Sequence, residues 1–134
     1  MAAENVELVR EVLDSWADGD FRSALEHFDP DVSFETFMPD AGENVAMRGV
    51  AELATFTRGW LAQWSNYRIV ADELRPVGGE TVFASVRQIA EGGRSGVPVE
   101  SPGYSVWTVR DGRVVALSLH YDRAEALAAA GLAP

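Results

Sequence analysis

With 134 residues, 47% of them hydrophobic and four of them tryptophan, the chain is long enough for one domain with a sizeable core and too short for a second. The absence of cysteine excludes a disulfide framework, thiol chemistry and cysteine metal ligands. A formal net charge of −10, from 11 basic against 21 acidic residues, argues against nucleic acid and anionic membrane surfaces as partners, because both repel an acidic chain. Residues 1–5 carry neither a basic region nor an apolar run, and no apolar stretch reaches the roughly 18 residues a membrane span needs, so the sequence predicts a cytoplasmic protein.

The first element is a helix over 5–18, with Val6, Val9, Val12, Leu13 and Trp16 at helical spacing, Asn5 as N-cap and Glu7 near the positive end of the dipole. Asp20 can cap a second, short helix that turns Phe21, Ala24, Leu25 and Phe28 inward and cannot continue past Pro30. Residues 32–37 read as a strand and 38–46, with Pro39, Asp40, Gly42 and Asn44, as a loop. Val50, Leu53, Phe56, Thr57, Trp60, Leu61 and Trp64 then define a third amphipathic helix. Gly59 inside it costs about 1 kcal/mol relative to Ala, which implies either a close approach of another element or simple tolerance.

From Tyr67 the period changes to two, with strands over 67–76, 81–91, 97–109 and 114–121. Residues 77–80 and 110–113, each containing glycine, form hairpin turns, and 91–96 is a looser Gly-rich connection. Asp122 followed by Glu125 has the form of a capping box for a helix over 123–130, with Gly131 at the left-handed C-cap. The order predicts an α+β domain spanning 1–134, with three N-terminal helical segments packed on a strongly curved, mainly antiparallel sheet and a short C-terminal helix. The 32–37 strand is expected at the sheet edge.

Three stretches carry a resemblance to a known superfamily. They are Trp16 to Asp20 running through Phe28 to Val32, then Arg48-Gly49-Val50, and Trp107 to Val115 running into Asp122 to Leu127. Together they resemble the SnoaL-like branch of the nuclear transport factor 2-like superfamily, small bacterial proteins among them. The resemblance implies a cone-shaped, cystatin-like α+β barrel whose mouth holds small apolar ligands. Its members include polyketide cyclases, ketosteroid isomerase, limonene epoxide hydrolase and dehydratases. Where ketosteroid isomerase places a tyrosine and two aspartates, this chain has Val12, Thr36 and Ser105, none of them a general base.

Strand parity, read from Val115, Leu117, Leu119 and Tyr121, turns those side chains inward and leaves Ala116, Ser118 and His120 on the outer face. A ligand pocket is therefore expected from Trp16, Phe34, Thr36, Phe56, Trp60, Ser105, Trp107, Leu119 and Tyr121, the same apolar positions that a filled core would use. Glu35, Arg48, Arg87 and Glu100 form either a buried polar set able to move protons or an ordinary pair at the rim. His120 is the candidate base by its titration range, although parity sends it outward. Glu35, Arg87 and His120 are thus the catalytic candidates. His27 on the short helix reads as a surface or capping residue, and two separated histidines outside any His-Glu-x-x-His spacing predict no metal. The segment 92–96 lacks the Lys-Ser/Thr ending of a phosphate loop, so no cofactor is expected.

The resemblance and the pocket together imply a protein for small apolar or aromatic ligands. It is either a cofactor-independent cyclase, isomerase or dehydratase acting on a polyketide-like substrate, or a non-catalytic binding or dimerisation module. The outer sheet face, with Val106, Thr108, Ala116, Ser118 and His120, carries few charges and predicts a homodimer.

Overall fold

The computed structural model describes residues 2–38, 43–92 and 96–132, so parts of the expected 38–46 loop and 91–96 connection lie outside the described residues. Helix α1 (Ala2–Ala17) buries Val9, Val12, Leu13 and Trp16, the stripe its spacing predicts. The helix begins before Asn5. That side chain does not cap it and instead donates from Nδ2 to the Gly79 carbonyl at 2.8 Å, tying α1 to a strand turn. Asp20 accepts from the Ser23 backbone N–H at 3.0 Å, which holds its carboxyl below the usual range, and a 3-10 helix follows (Ser23–His27).

Strand β1 (Phe28–Met38) is longer than expected, and a second strand, β2 (Glu43–Arg48), occupies part of the expected loop. It pairs antiparallel with β1 from Ser33↔Arg48 to Met38↔Glu43. Helix α2 (Val50–Leu61) follows, then β3 (Trp64–Val77), β4 (Thr81–Gly92), β5 (Pro98–Arg110), β6 (Arg113–His120) and α3 (Arg123–Ala129). Trp64 thus opens a strand rather than closing the third helix. An ideal Cβ at Gly59 meets no atom within 4 Å, so simple tolerance explains that glycine. Asp111 and Gly112 both have positive φ, 53° and 74°, the left-handed pair that a two-residue hairpin turn needs. Asp122 caps α3 by accepting from the Glu125 N–H at 3.1 Å.

The six strands form one mixed sheet in the order β2-β1-β6-β5-β4-β3. All neighbours are antiparallel except β1 and β6, which run parallel. The expected edge position of the first strand is therefore corrected: β1 is interior, and β2 and β3 are the edges. A bulge in β6 also corrects the parity reading, since Thr108 pairs with Ala116 but Val109 pairs with Val114. Val115 is the extra residue, and the inward set is Val114, Leu117 and Leu119.

The curved sheet closes on α1 and α2, and the main core lies between them. Trp107 sits there at 0% exposure, with ring centroids 5.3 Å from Trp16 and 6.2 Å from Phe28. Its indole Nε1 donates to Ser105 Oγ at 2.8 Å, and Ser105 Oγ donates to the Ala84 carbonyl at 3.2 Å. A smaller cluster lies on the other side of the sheet, where Ala126, Leu127 and Ala130 of the C-terminal segment cover Phe83 and Val106. Val106, expected on a free dimer face, is thus buried by the chain's own helix. Among the described residues, no helix is long and apolar enough to cross a membrane.

Replacing Trp107 by Ala is expected to destabilise the protein by about 3–5 kcal/mol, measured by urea denaturation, because it empties the core and removes the hydrogen bond that the Ser105 hydroxyl accepts. A loss below about 1 kcal/mol would show that Trp107 is not a core residue.

Candidate functional site

A cavity of about 80 Å³ opens between the inner sheet face and the helices. Helix α1 supplies Trp16, β1 supplies Phe34 and Thr36, α2 supplies Phe56 and Trp60, and the β6 end supplies Leu119 and Tyr121. Phe34 and Phe56 pack with centroids 5.8 Å apart and form one apolar wall. Seven of the nine expected pocket residues thus meet around one space. Ser105 and Trp107 do not. They lie behind it in the core, where the Ser105 hydroxyl serves the buried indole.

Ten further lining residues lie outside the expected pocket set, and two of them, Tyr67 and Gln88, form a polar pair. Tyr67 follows a bulge: Ser65 pairs with Glu91 and Arg68 with Ile89, so Asn66 and Tyr67 face a single residue on β4. Asn66 has φ 54°, and an asparagine inside a strand is the one sequence signal for this bulge. Gln88 was legible, since it continues the inward alternation of Val82, Ala84 and Val86. Gly103 on β5 leaves room for it, because an added Cβ there would come within 3.5 Å of Gln88 Nε2 and 3.3 Å of Val86.

The Tyr67 hydroxyl donates to Gln88 Oε1 at 2.5 Å. Burial pushes the phenol up to about 12, opposed by the Trp60 side chain and assisted by the neighbouring Tyr121. At neutral pH Tyr67 is therefore a proton donor. It engages the amide oxygen and leaves the Gln88 NH2 group as the donor available to the cavity. Thr36, only 4% exposed, and Thr57 add hydroxyls to an otherwise apolar lining. Among the described residues, no carboxylate, imidazole or guanidinium lines this space.

The catalytic candidates lie elsewhere. Glu35 is exposed, its neighbours Phe34 and Thr36 being the buried ones of that alternation. Arg87 is half-buried, with Nη1 3.1 Å from Glu100 Oε1 and Nε 3.0 Å from Asp72 Oδ1; these two carboxylates raise its pKa further. The three side chains form an ion-paired cluster outside the cavity lining. Arg48 is exposed as well. His120 is bonded to Ser118 Oγ at 2.8 Å through Nε2 and to Glu125 Oε1 at 3.3 Å through Nδ1, linking β6 to α3 away from the cavity. His27 lies 3.7 Å from Glu11 and 3.6 Å from Glu26. No cluster of three metal-ligating side chains occurs among the described residues.

A family model described as a SnoaL-like domain matches residues 9–117. The chain belongs to the SnoaL-like family. Solved structures share this SnoaL-like fold at low identity. One is a nuclear transport factor 2-like protein of unknown function from Burkholderia pseudomallei K96243, with 24% identity, coverage of 93% of this chain and 95% of that one, and a TM-score of 0.76. Another is a protein of ketosteroid isomerase-like fold from Catenulispora acidiphila DSM 44928, solved with trimethylamine, with 16% identity, coverage of 94% and 93%, and a TM-score of 0.73. TerC, co-crystallised with polyporic acid, has 19% identity, coverage of 89% and 92%, and a TM-score of 0.76. No curated protein sequence matches the chain.

In a spectrophotometric titration of the three tyrosines, one is expected to ionise late, near pH 12, and Tyr67→Phe should remove that phase. The folded value lies above the unfolded value near 10, so Tyr67's contribution is complete below pH 10 and is lost as pH rises toward 12. Equal, normal titration of all three tyrosines would contradict the burial of this phenol.

Proposed function

We propose that this SnoaL-like protein binds a small, flat apolar ligand carrying a hydrogen-bond acceptor, held by aromatic walls and oriented by the Gln88 amide. The observation that carries this reading is the Tyr67–Gln88 pair set in a cavity otherwise lined by apolar side chains and threonine and tyrosine hydroxyls. Aromatic rings on several sides favour a flat guest through stacked and edge contacts. A polar pair that is satisfied internally, yet keeps one donor spare, costs little when the site is empty and adds selectivity when it is filled.

The other reading, a cofactor-independent cyclase, isomerase or dehydratase, needs a group that takes a proton near neutral pH. Tyr67, with its pKa at about 12, is poorly matched to that task. The cavity supports stabilisation of a developing oxyanion by Gln88, so an enzyme reading requires a substrate that brings its own base. Binding without acid–base catalysis is therefore the reading adopted. The proposal retains the homodimer, now through Thr108, Ala116 and Ser118, the part of the outer sheet face that is only partly buried. Light scattering at micromolar concentration should give twice the 14.6 kDa chain mass, and a strict monomer would remove that part of the proposal.

Acetophenone and ethylbenzene provide the main test, as guests of similar size with and without an acceptor. Both should perturb tryptophan fluorescence, since Trp16 and Trp60 line the cavity. The double change Tyr67→Phe and Gln88→Leu, which strands neither partner, should weaken acetophenone about three- to tenfold and leave ethylbenzene unaltered. Failure of both guests to bind at millimolar concentration would overturn the proposed function.

A further inference from the structure

The space does not end at Tyr67 and Gln88. An open lobe of about 170 Å³ adjoins the inner cavity and shares four of its wall residues, Trp60, Tyr67, Gln88 and Tyr121. Its own walls are Trp64, Ala90, Val99 and Ser101. The register explains the room: Gln88 pairs with Ser101 and Ala90 with Val99, so small side chains occupy the inner face at this end of β4 and β5. Trp64, packed 5.8 Å from Trp60, bounds the lobe from the start of β3.

A second observation falls at the same place. The exposed large hydrophobic side chains among the described residues are Val97, Val99 and Tyr121, at 57%, 40% and 37% exposure. Two of them line the lobe, and Val97 is two residues from Val99. Apolar exposure on this otherwise acidic chain is thus gathered where the inner cavity opens outward, the pattern expected of a surface that a ligand covers.

We infer that the site is bipartite and takes a ligand of two flat apolar groups joined through a hydrogen-bond acceptor. One group enters the inner cavity, the acceptor meets the Gln88 amide where the two spaces join, and the second group lies in the outer lobe against Val99 and Tyr121. Diaryl ketones have this chemistry. The inference rests on the proposed ligand-binding role of the inner cavity and adds the length of the ligand and the position of its polar atom.

The test compares benzophenone with acetophenone by isothermal titration calorimetry. Burying the second ring should make benzophenone about tenfold tighter for the unaltered protein. Val99→Glu places a charge on the exposed lobe wall without touching the core, and Ser101→Trp fills the lobe. In both variants the ratio of the two affinities should fall from about ten to about one. Circular dichroism and the acetophenone titration report separately whether each variant remains folded with its inner cavity intact. Equal affinities in the unaltered protein, or a ratio that survives in Val99→Glu, would overturn the bipartite site while leaving the inner site standing. Binding of neither ketone would instead overturn the function proposed for the inner cavity.

Discussion

The arrangement of this molecule depends on one buried indole. Trp107 lies on the concave side of the sheet with no solvent contact, against Trp16 from α1 and Phe28 at the start of β1. An indole N–H in such a place costs several kcal/mol if unpaired in a fully apolar setting. The Ser105 hydroxyl accepts it and in turn donates a hydrogen bond to the Ala84 carbonyl, so a side chain of β5 bonds the backbone of β4 in addition to their ladder. With that volume filled, the helices are held at a distance that packs tightly around Trp107 and leaves space beyond Trp16 and Phe28.

The same chemistry makes serine a fitting residue at position 105. A carboxylate at 105 would be desolvated beside tryptophan, whereas a hydroxyl can be acceptor and donor in one buried chain. No charged group of the described residues lines the inner cavity. Arg87, Asp72 and Glu100 pair outside it, and Glu125 and His120 join the last helix to the sheet. Exposed pairs of this kind add little to stability. Their placement keeps charge out of a lining whose polar atoms belong to hydroxyls and one amide.

Much of this was readable from residue order, and the failures have identifiable causes. The helical stripe Val9, Val12, Leu13 and Trp16, the Asp111-Gly112 turn and the Asp122 cap follow from local rules that tertiary packing did not override. The resemblance placed Thr36 at the cavity, while strand parity brought Leu119 and Tyr121 there and sent His120 outward. Parity failed at the Val115 bulge, where the extra residue reverses the side chains on its N-terminal side and brings Val114 inward, and it gave no expectation for Tyr67, which sits in the Asn66-Tyr67 bulge. Trp107 was misplaced for a different reason. Inward-facing is a local property, but whether an inward side chain is covered depends on Trp16 and Phe28, which come from distant parts of the chain. Strand β2 was hidden by Pro39, Asp40 and Gly42, turn-forming residues that precede its start at Glu43.

The parallel pairing of β1 with β6 has a consequence for how the chain reaches this state. Every other ladder joins strands that are neighbours in sequence and can form as soon as their turn exists. The β1–β6 ladder, in which Phe34 meets Leu117 and Thr36 meets Leu119, must wait for nearly the whole polypeptide. On the ribosome, the first strand and its hairpin partner would emerge long before their permanent neighbour is synthesised. Phe34, Thr36, Leu117 and Leu119 are also cavity walls, so the pocket is completed only at the closing step. A guest would therefore stabilise the finished protein and no earlier species, slowing its unfolding without hastening its assembly.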